Sequence, residues 1–239
     1  VMYGFRERER IQSLFEAVTG ARMMHNFFRV GGVKSDLPED FNERIPWILI
    51  ELQKGIDEAD RLVTFNEIFL SRTRDVGIID AKTAIAYGLS GPSLRATGVP
   101  YDVRRAEPYA IYDRIDFDIP VGDRGDCWDR YYVRIQEMRQ SLSIIKQCLE
   151  QIPDGPTMAT VRRIARPPAG EVFSHAENPR GEFGVYLVSL GADKPHRVKI
   201  RPPSFCNLMA LKLMVKNAYI ADAVMILGSL DIVLGEVDR

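Results

Sequence analysis

Histidine and cysteine are scarce in these 239 residues, three of each, and none is spaced as catalytic or metal-binding pairs usually are. Cys127, Cys148 and Cys206 form no CxxC pair and leave an odd number. That argues against a disulfide scaffold and against a zinc or iron–sulfur site built by this chain alone. Reduced thiols are the expectation. His25 has no second histidine three or four residues away, so no helical metal pair exists, while His175 and His196 fall in strand-like segments as ordinary surface or strand residues. GxSxG, HExxH, P-loop and GxGxxG motifs are all missing. Charge of one sign is missing too: 32 basic residues face 33 acidic ones, for a net charge of −1. The basic residues are dispersed, which leaves no general electrostatic case for nucleic acid or an anionic membrane. The first residues of this segment are charged from Arg6 onward, so they are not expected to act as a secretory signal. The longest apolar stretch, 218–235, contains Asp222 and Asp231, a poor membrane span but a plausible buried segment.

What is present is the composition of a folded protein, 46% hydrophobic and 27% charged, long enough to bury one large core or two small ones. Ile11, Leu14, Phe15 and Val18 recur at helical spacing, and Gly20 sits where a C-terminal cap belongs. Val1 stands where an initiating residue would be, and helical periodicity begins almost at once, as in a fragment. Arg29 to Gly32, RVGG, breaks regular structure. Asp40 with Glu43 resembles a capping box for a helix whose apolar stripe is Ile45, Ile48, Leu49, Leu52 and Ile56, with Pro46 bending it or delaying its start. Short helices are expected near Phe69 and Ala84. Asp126 is expected to cap a long helix to about Gln151, striped by Trp128, Tyr131, Tyr132, Ile135, Met138, Leu142, Ile145 and Leu149. That role explains the RGD at 124–126 better than adhesion does. The period then changes to two in EVFSHAE, EFGVYLVS and HRVKIRP, an antiparallel meander, and Phe205 to Lys216 reads as a helix. The expectation is an α+β chain, mostly α-helical with a small antiparallel β meander. It divides into a helical core region (1–156), a loop and meander (157–204) and a C-terminal helix and tail (205–239), all in one structural unit.

The C-terminus is unusual, because chain ends are ordinarily polar and frayed. Here an apolar run leads into SLDIVLGEVDR, which would carry Asp231, Glu236, Asp238 and Arg239 inward. Buried carboxylates need partners, and Arg239, or Arg201 from the meander, would supply them. Such a cluster is equally a structural ion pair or a site of shifted pKa values and proton coupling.

Phe5 to Val33, GLSGPSLRATG (88–98), YDVRRAEPY (101–109), RGDCWDRYYVRIQEMRQS (124–141), PRGEFGVYLVS (179–189), KIRPPSF (199–205) and GSLDIVLGEVDR resemble the 49-kDa subunit family of complex I, the D-type component of bacterial NADH-quinone oxidoreductase. The H-type component of the plastid and cyanobacterial enzymes is its counterpart. The resemblance runs in order along nearly the whole chain. It implies a fold like the large subunit of [NiFe]-hydrogenases and a place in a proton-translocating NADH:quinone oxidoreductase, peripheral on the cytoplasmic side of the membrane (matrix or stroma in organelles). Its partners would be the small subunit carrying a [4Fe–4S] cluster, a 30-kDa-type subunit and the membrane-embedded quinone-channel subunit. No cofactor would be bound by this chain. Quinone would be the substrate, and NADH would be used elsewhere in the complex. The resemblance assigns Asp231, Glu236 and Arg239 to quinone chemistry, with Val233 and Arg201 lining the cavity and Arg29 near the cluster interface. Met24 departs from a histidine common in respiratory members, and a one-residue offset in a helix turns His25 by about 100° from that direction. The family's N-terminal half, with the residues that grip the quinone headgroup, is absent, so this piece alone is expected to be inactive. Two other readings remain: a membrane-bound, energy-converting [NiFe]-hydrogenase subunit, which needs four cysteine ligands, and a non-catalytic scaffold.

Overall fold

A computed structural model describes residues 2–161 and 166–238. The chain forms two compact units, one made of 1–63 with 145–165 and the other of 64–144 with 166–239. Neither division falls at 156 or 204, where the change of sequence character placed region boundaries.

In the first unit α1 (Met2–Thr19) packs on α2 (Phe41–Ala59). Gly20 closes α1 with φ of +80°, and its N–H donates to the Glu16 carbonyl at 2.9 Å, as its position anticipated. Ile45, Ile48, Leu49 and Ile56 of the expected stripe are buried. Across the pair run the ion pairs Arg6–Glu58 and Arg10–Glu51, both 2.9 Å. The capping box does not form. Asp40, with φ −83° and ψ 2°, lacks the extended backbone a capping aspartate uses, and its carboxylate accepts from Arg44 instead. Pro46 lies inside α2, which nevertheless starts at Phe41. RVGG turns out to be the turn of a small hairpin, β1 (Phe28–Arg29) against β2 (Gly32–Val33). A Cβ on Gly32 would come within 2.9 Å of Met158 Cα, and that close approach lets Met158 bridge onto the hairpin.

In the second unit α3 (Glu67–Thr73) and α4 (Ala81–Ala86) appear near Phe69 and Ala84 as expected. Two single-turn helices follow, α5 (Pro92–Arg95) and α6 (Val103–Ala106). The long helix α7 (Cys127–Glu150) crosses from this unit into the first. Asp126 caps it: one carboxylate oxygen accepts from Asp129 N at 2.9 Å, the other from Asp75 N at 2.8 Å. Within the RGD tripeptide Gly125 and Asp126 are therefore buried at a helix start, while Arg124 is exposed. The face that α7 buries is broader than the apolar stripe, since it includes Asp129, Arg130 and Val133 while Met138 and Ile145 are exposed.

The meander is as read from the period of two: β3 (Gly170–Asn178), β4 (Gly181–Ser189) and β5 (Arg197–Arg201), antiparallel in that order. Asn178 faces Gly181 across the β3–β4 turn, and Gly184 faces Arg201. The single helix expected over 205–216 is two, α8 (Pro203–Met209) and α9 (Leu211–Met214), because the Ala210 N–H reaches back only three residues, to Asn207. The apolar C-terminal stretch is α10 (Ile220–Leu230), a left-handed residue at Asp231 and the single turn α11 (Leu234–Val237). Ile226 and Leu230 join Ile79, Leu89, Leu94, Cys127 and Met214 in the core. Asp222, buried in the first turn of α10, pairs with Arg72 of α3 at 2.6 Å. Among the described residues no helix is long and apolar enough to cross a membrane. The architecture is α+β and mostly helical, with small antiparallel sheets.

Candidate functional site

GLSGPS and the β3–β4 turn meet backbone to backbone. Gly91 adopts φ +62° and ψ −149°, and a Cβ there would lie 2.5 Å from Gly181 Cα. Only glycine tolerates both the conformation and the approach. Around this contact, Ser90 Oγ accepts from Glu182 N at 3.0 Å, and Ser90 N donates to Asn207 Oδ1 at 3.2 Å. Asn207 Nδ2 donates in turn to the Arg180 carbonyl at 3.0 Å. Arg201 completes the clamp by donating to the carbonyls of Glu182 (2.6 Å) and Gly88 (2.9 Å).

The C-terminal tail rests on this clamp. Glu236 Oε2 accepts from the backbone N–H of Ser204 at 3.2 Å and, in a short bond, from its hydroxyl. Ser204 Oγ then accepts from Val233 N at 3.2 Å, while Asn178 Nδ2 reaches Glu236 Oε1 at 3.5 Å. Arg180 Nε donates to the Asp231 carbonyl at 2.7 Å, and its Nη2 lies 3.6 Å from Asp231 Oδ1.

Beneath the tail, two arginines one helical turn apart on α7 hold Ser229. Arg130 Nε donates to Ser229 Oγ (2.9 Å) and Arg134 Nη1 to the Ser229 carbonyl (2.8 Å). Burial disfavours both cations: Arg130 is pushed below the usual arginine value, and Arg134 down to about 10, with Asp231 the charge that most offsets its burial. Arg134 Nε is shut off from solvent and has no hydrogen-bond partner among the described residues. A separate buried cluster surrounds Arg95, which is 1% exposed. Its guanidinium meets Glu137 at 2.6 Å, Glu177 at 2.9 Å and Asp102 at 3.6 Å. Burial raises the pKa of Glu177. It would raise that of Asp102 too, but Arg104 and Arg95 outweigh it and hold that carboxyl low. Among the described residues no three histidine, cysteine, aspartate or glutamate side chains are grouped to hold a metal ion.

The structure brings Asp231, Val233 and Glu236 together but does not sink them as the apolar run implied. Full burial stops at Leu230, 1% exposed. The chain then turns at left-handed Asp231, leaving the Asp231 side chain 46% exposed, Val233 and Asp238 exposed and Glu236 half-buried, while Ile232 still packs against the core. Arg239 lies outside the described residues. Arg201 faces Glu182 at 3.5 Å rather than a tail acid, and Arg180 takes the place expected of it. Arg29 belongs to the hairpin of the first unit, exposed, with Nε donating to the Asn26 carbonyl at 3.1 Å. Residues 21–27 are not helical, so the helical offset does not apply there. Met24 is left-handed and 89% exposed, and His25 packs on the Phe15 ring at 4.6 Å. Sequence reasoning missed Arg130, Arg134, Arg180, Ser204 and Asn207. The i, i+4 spacing of Arg130 and Arg134 among the aromatic and apolar positions of α7 was the available signal for the first two.

A mostly helical α+β chain whose C-terminal acids sit on a glycine-packed meander turn defines the class. The family described as "Respiratory-chain NADH dehydrogenase, 49 Kd subunit" matches residues 1–168 and 161–239, and the chain belongs to it. It is 50% identical to a D-type NADH-quinone oxidoreductase subunit of Roseiflexus sp. (strain RS-1), over 100% of this chain and 66% of that protein. With the D-type subunit of the Desulforamulus reducens enzyme it shares 49% identity, over 99% of this chain and 65% of the relative. With that of Ehrlichia ruminantium it shares 43%, over 100% and 67%. The chain thus spans about two thirds of the length of these relatives.

Proposed function

We propose that this chain is part of the quinone-site subunit of a proton-translocating NADH:quinone oxidoreductase. The cavity in which quinone is reduced would form with a neighbouring subunit that carries a [4Fe–4S] cluster. NADH would be oxidised elsewhere in the complex, and this chain would itself bind no cofactor. Its other partners would be the 30-kDa-type subunit and the membrane-embedded quinone-channel subunit, with the chain peripheral on the cytoplasmic side of the membrane. The relatives are named for oxidation of NADH by quinone, and family membership makes that reading the leading one. The observation that carries it is the tail: Asp231 and Glu236 stand on one fixed turn, Glu236 in hydrogen bonds and Asp231 still partly open.

Reduction of a quinone to a quinol takes up two electrons and two protons. A partly exposed carboxylate such as Asp231 is suited to pass protons, whereas Glu236, accepting from Ser204 twice, is suited to hold the tail's shape. Val233 would line the cavity between them, Arg201 would support the meander behind it, Arg239 would balance charge, and Arg29 would stand near the cluster interface. The test replaces Asp231→Asn and Glu236→Gln in the assembled enzyme. Quinone turnover should fall about a hundredfold for Asp231→Asn while electron transfer to an artificial acceptor ahead of the quinone persists. Loss of assembly together with activity would instead favour the scaffold reading.

A further inference from the structure

The β3–β4 turn touches Asp231 and Glu236. From it Arg180 reaches Asp231 by carbonyl and carboxylate, and Asn178 reaches Glu236. The turn is itself rigidly presented. Asn178 Oδ1 accepts from Arg180 N at 3.2 Å, Asn207 holds the Arg180 carbonyl, and Gly181 is packed against Ser90 and Gly91. On the other side of this contact, Asp231 has φ +53° and ψ +51°, a conformation that an aspartate keeps only when its surroundings determine it. A donor on the Asp231 carbonyl fixes the peptide plane that follows, and with it the direction of 232–238.

We propose that Arg180 is the positioning residue of the C-terminal tail: from the meander turn it locks Asp231 in its left-handed conformation and aims its carboxylate. The two contacts use different atoms of one planar guanidinium, Nε for the carbonyl and Nη2 for the carboxylate. A lysine ammonium, a single point on a flexible stem, supplies the charge without that two-point grip. Charge and geometry are therefore separable by substitution. This inference rests on the proposed role of the tail in quinone chemistry, but its structural half stands apart from that role.

The experiment uses the complete assembled enzyme with Arg180→Lys, Arg180→Gln, Asp231→Asn and the Arg180→Gln/Asp231→Asn double variant. Two quantities are read: quinone turnover, and hydrogen exchange of the amides in 231–238. Arg180→Gln should lower kcat about tenfold with a smaller change in KM. It should also speed tail exchange at least about tenfold, the effect of losing roughly one net hydrogen bond with its ion pair. Arg180→Lys should recover part of the turnover but little of the exchange protection. The double variant should turn over no more slowly than Asp231→Asn alone, because Arg180 acts through Asp231. Unchanged tail exchange in Arg180→Gln, or losses that multiply in the double variant, would overturn the assignment. If Asp231→Asn leaves turnover intact, the quinone role of the tail fails, while exchange in Arg180→Gln still decides whether Arg180 positions it.

Discussion

Replacing Gly91 with alanine tests the contact on which the tail's support depends. At φ +62° and ψ −149° the residue lies where side-chain-bearing residues almost never occur, a conformational cost of about 1–3 kcal/mol. The new methyl would also stand 2.5 Å from Gly181 Cα and 2.6 Å from both the Arg180 carbonyl oxygen and Gly181 N. All three are backbone atoms that no rotamer change can move aside, so overpacking adds about 1–3 kcal/mol. Together these give a loss of roughly 4 kcal/mol, a large share of the 5–15 kcal/mol that holds a typical domain folded. With a urea dependence near 2.5 kcal/mol per molar, the unfolding midpoint should fall by about 1.5 M. Urea unfolding followed by tryptophan fluorescence measures it directly. Gly228→Ala is the internal control. It sits exposed in α10 with nothing within 4 Å of its would-be Cβ, so alanine should stabilise by about 0.5–1 kcal/mol. A Gly91→Ala chain unfolding within about 0.3 M of the parent would refute the close-approach argument, since that corresponds to under 1 kcal/mol.

Arg95→Met would strip Glu177 of its buried counter-charge, while Asp102 keeps Arg104 at 2.7 Å, at a cost of about 3–5 kcal/mol at neutral pH. Glu177 already titrates above its ordinary 4.5 because of burial, so in the variant the loss should shrink as the pH falls and Glu177 takes up a proton; urea melts at pH 5 and 8 that show equal losses would contradict this. His175 lies between two carboxylates, Glu182 at 2.8 Å from Nδ1 and Glu107 at 3.0 Å from Nε2, and only the doubly protonated ring can donate to both. Hydrogen bonds to Glu182 and then Glu107 raise its pKa above the ordinary 6.5, so the contact between β3 and the 107 segment is at full strength below pH 6.5 and weakens as pH climbs through the raised value. An NMR titration of His175 should give a midpoint above 6.5, and amides at 103–109 should exchange faster with rising pH beyond the intrinsic dependence seen in His175→Gln. A midpoint at or below 6.5 sinks the idea.

What the sequence determined by itself was whatever a few neighbouring residues can decide. The stripe and Gly20 of α1, the Asp126 cap, the period of two in β3, β4 and β5, and the α+β class all rest on interactions within a turn or two of chain. The family was legible for a different reason, in long ordered motifs from FRERER to GSLDIVLGEVDR. Tertiary structure decided the rest. A hairpin of two-residue strands has no period to read, and it exists because residues near Met158 come back to pair with Gly32. The first unit is discontinuous for the same kind of reason, assembled from 1–63 and 145–165. Spacing placed the acids of the tail but could not choose their partner: Arg201 and Arg180 are both on the meander, and only the fold brings Arg180 to Asp231 across 51 residues while turning Arg201 toward Glu182 and Gly88. Nor could apolar content show that full burial ends at Leu230, because a left-handed residue redirects the chain after it, and the contacts that stabilise that residue come from distant chain.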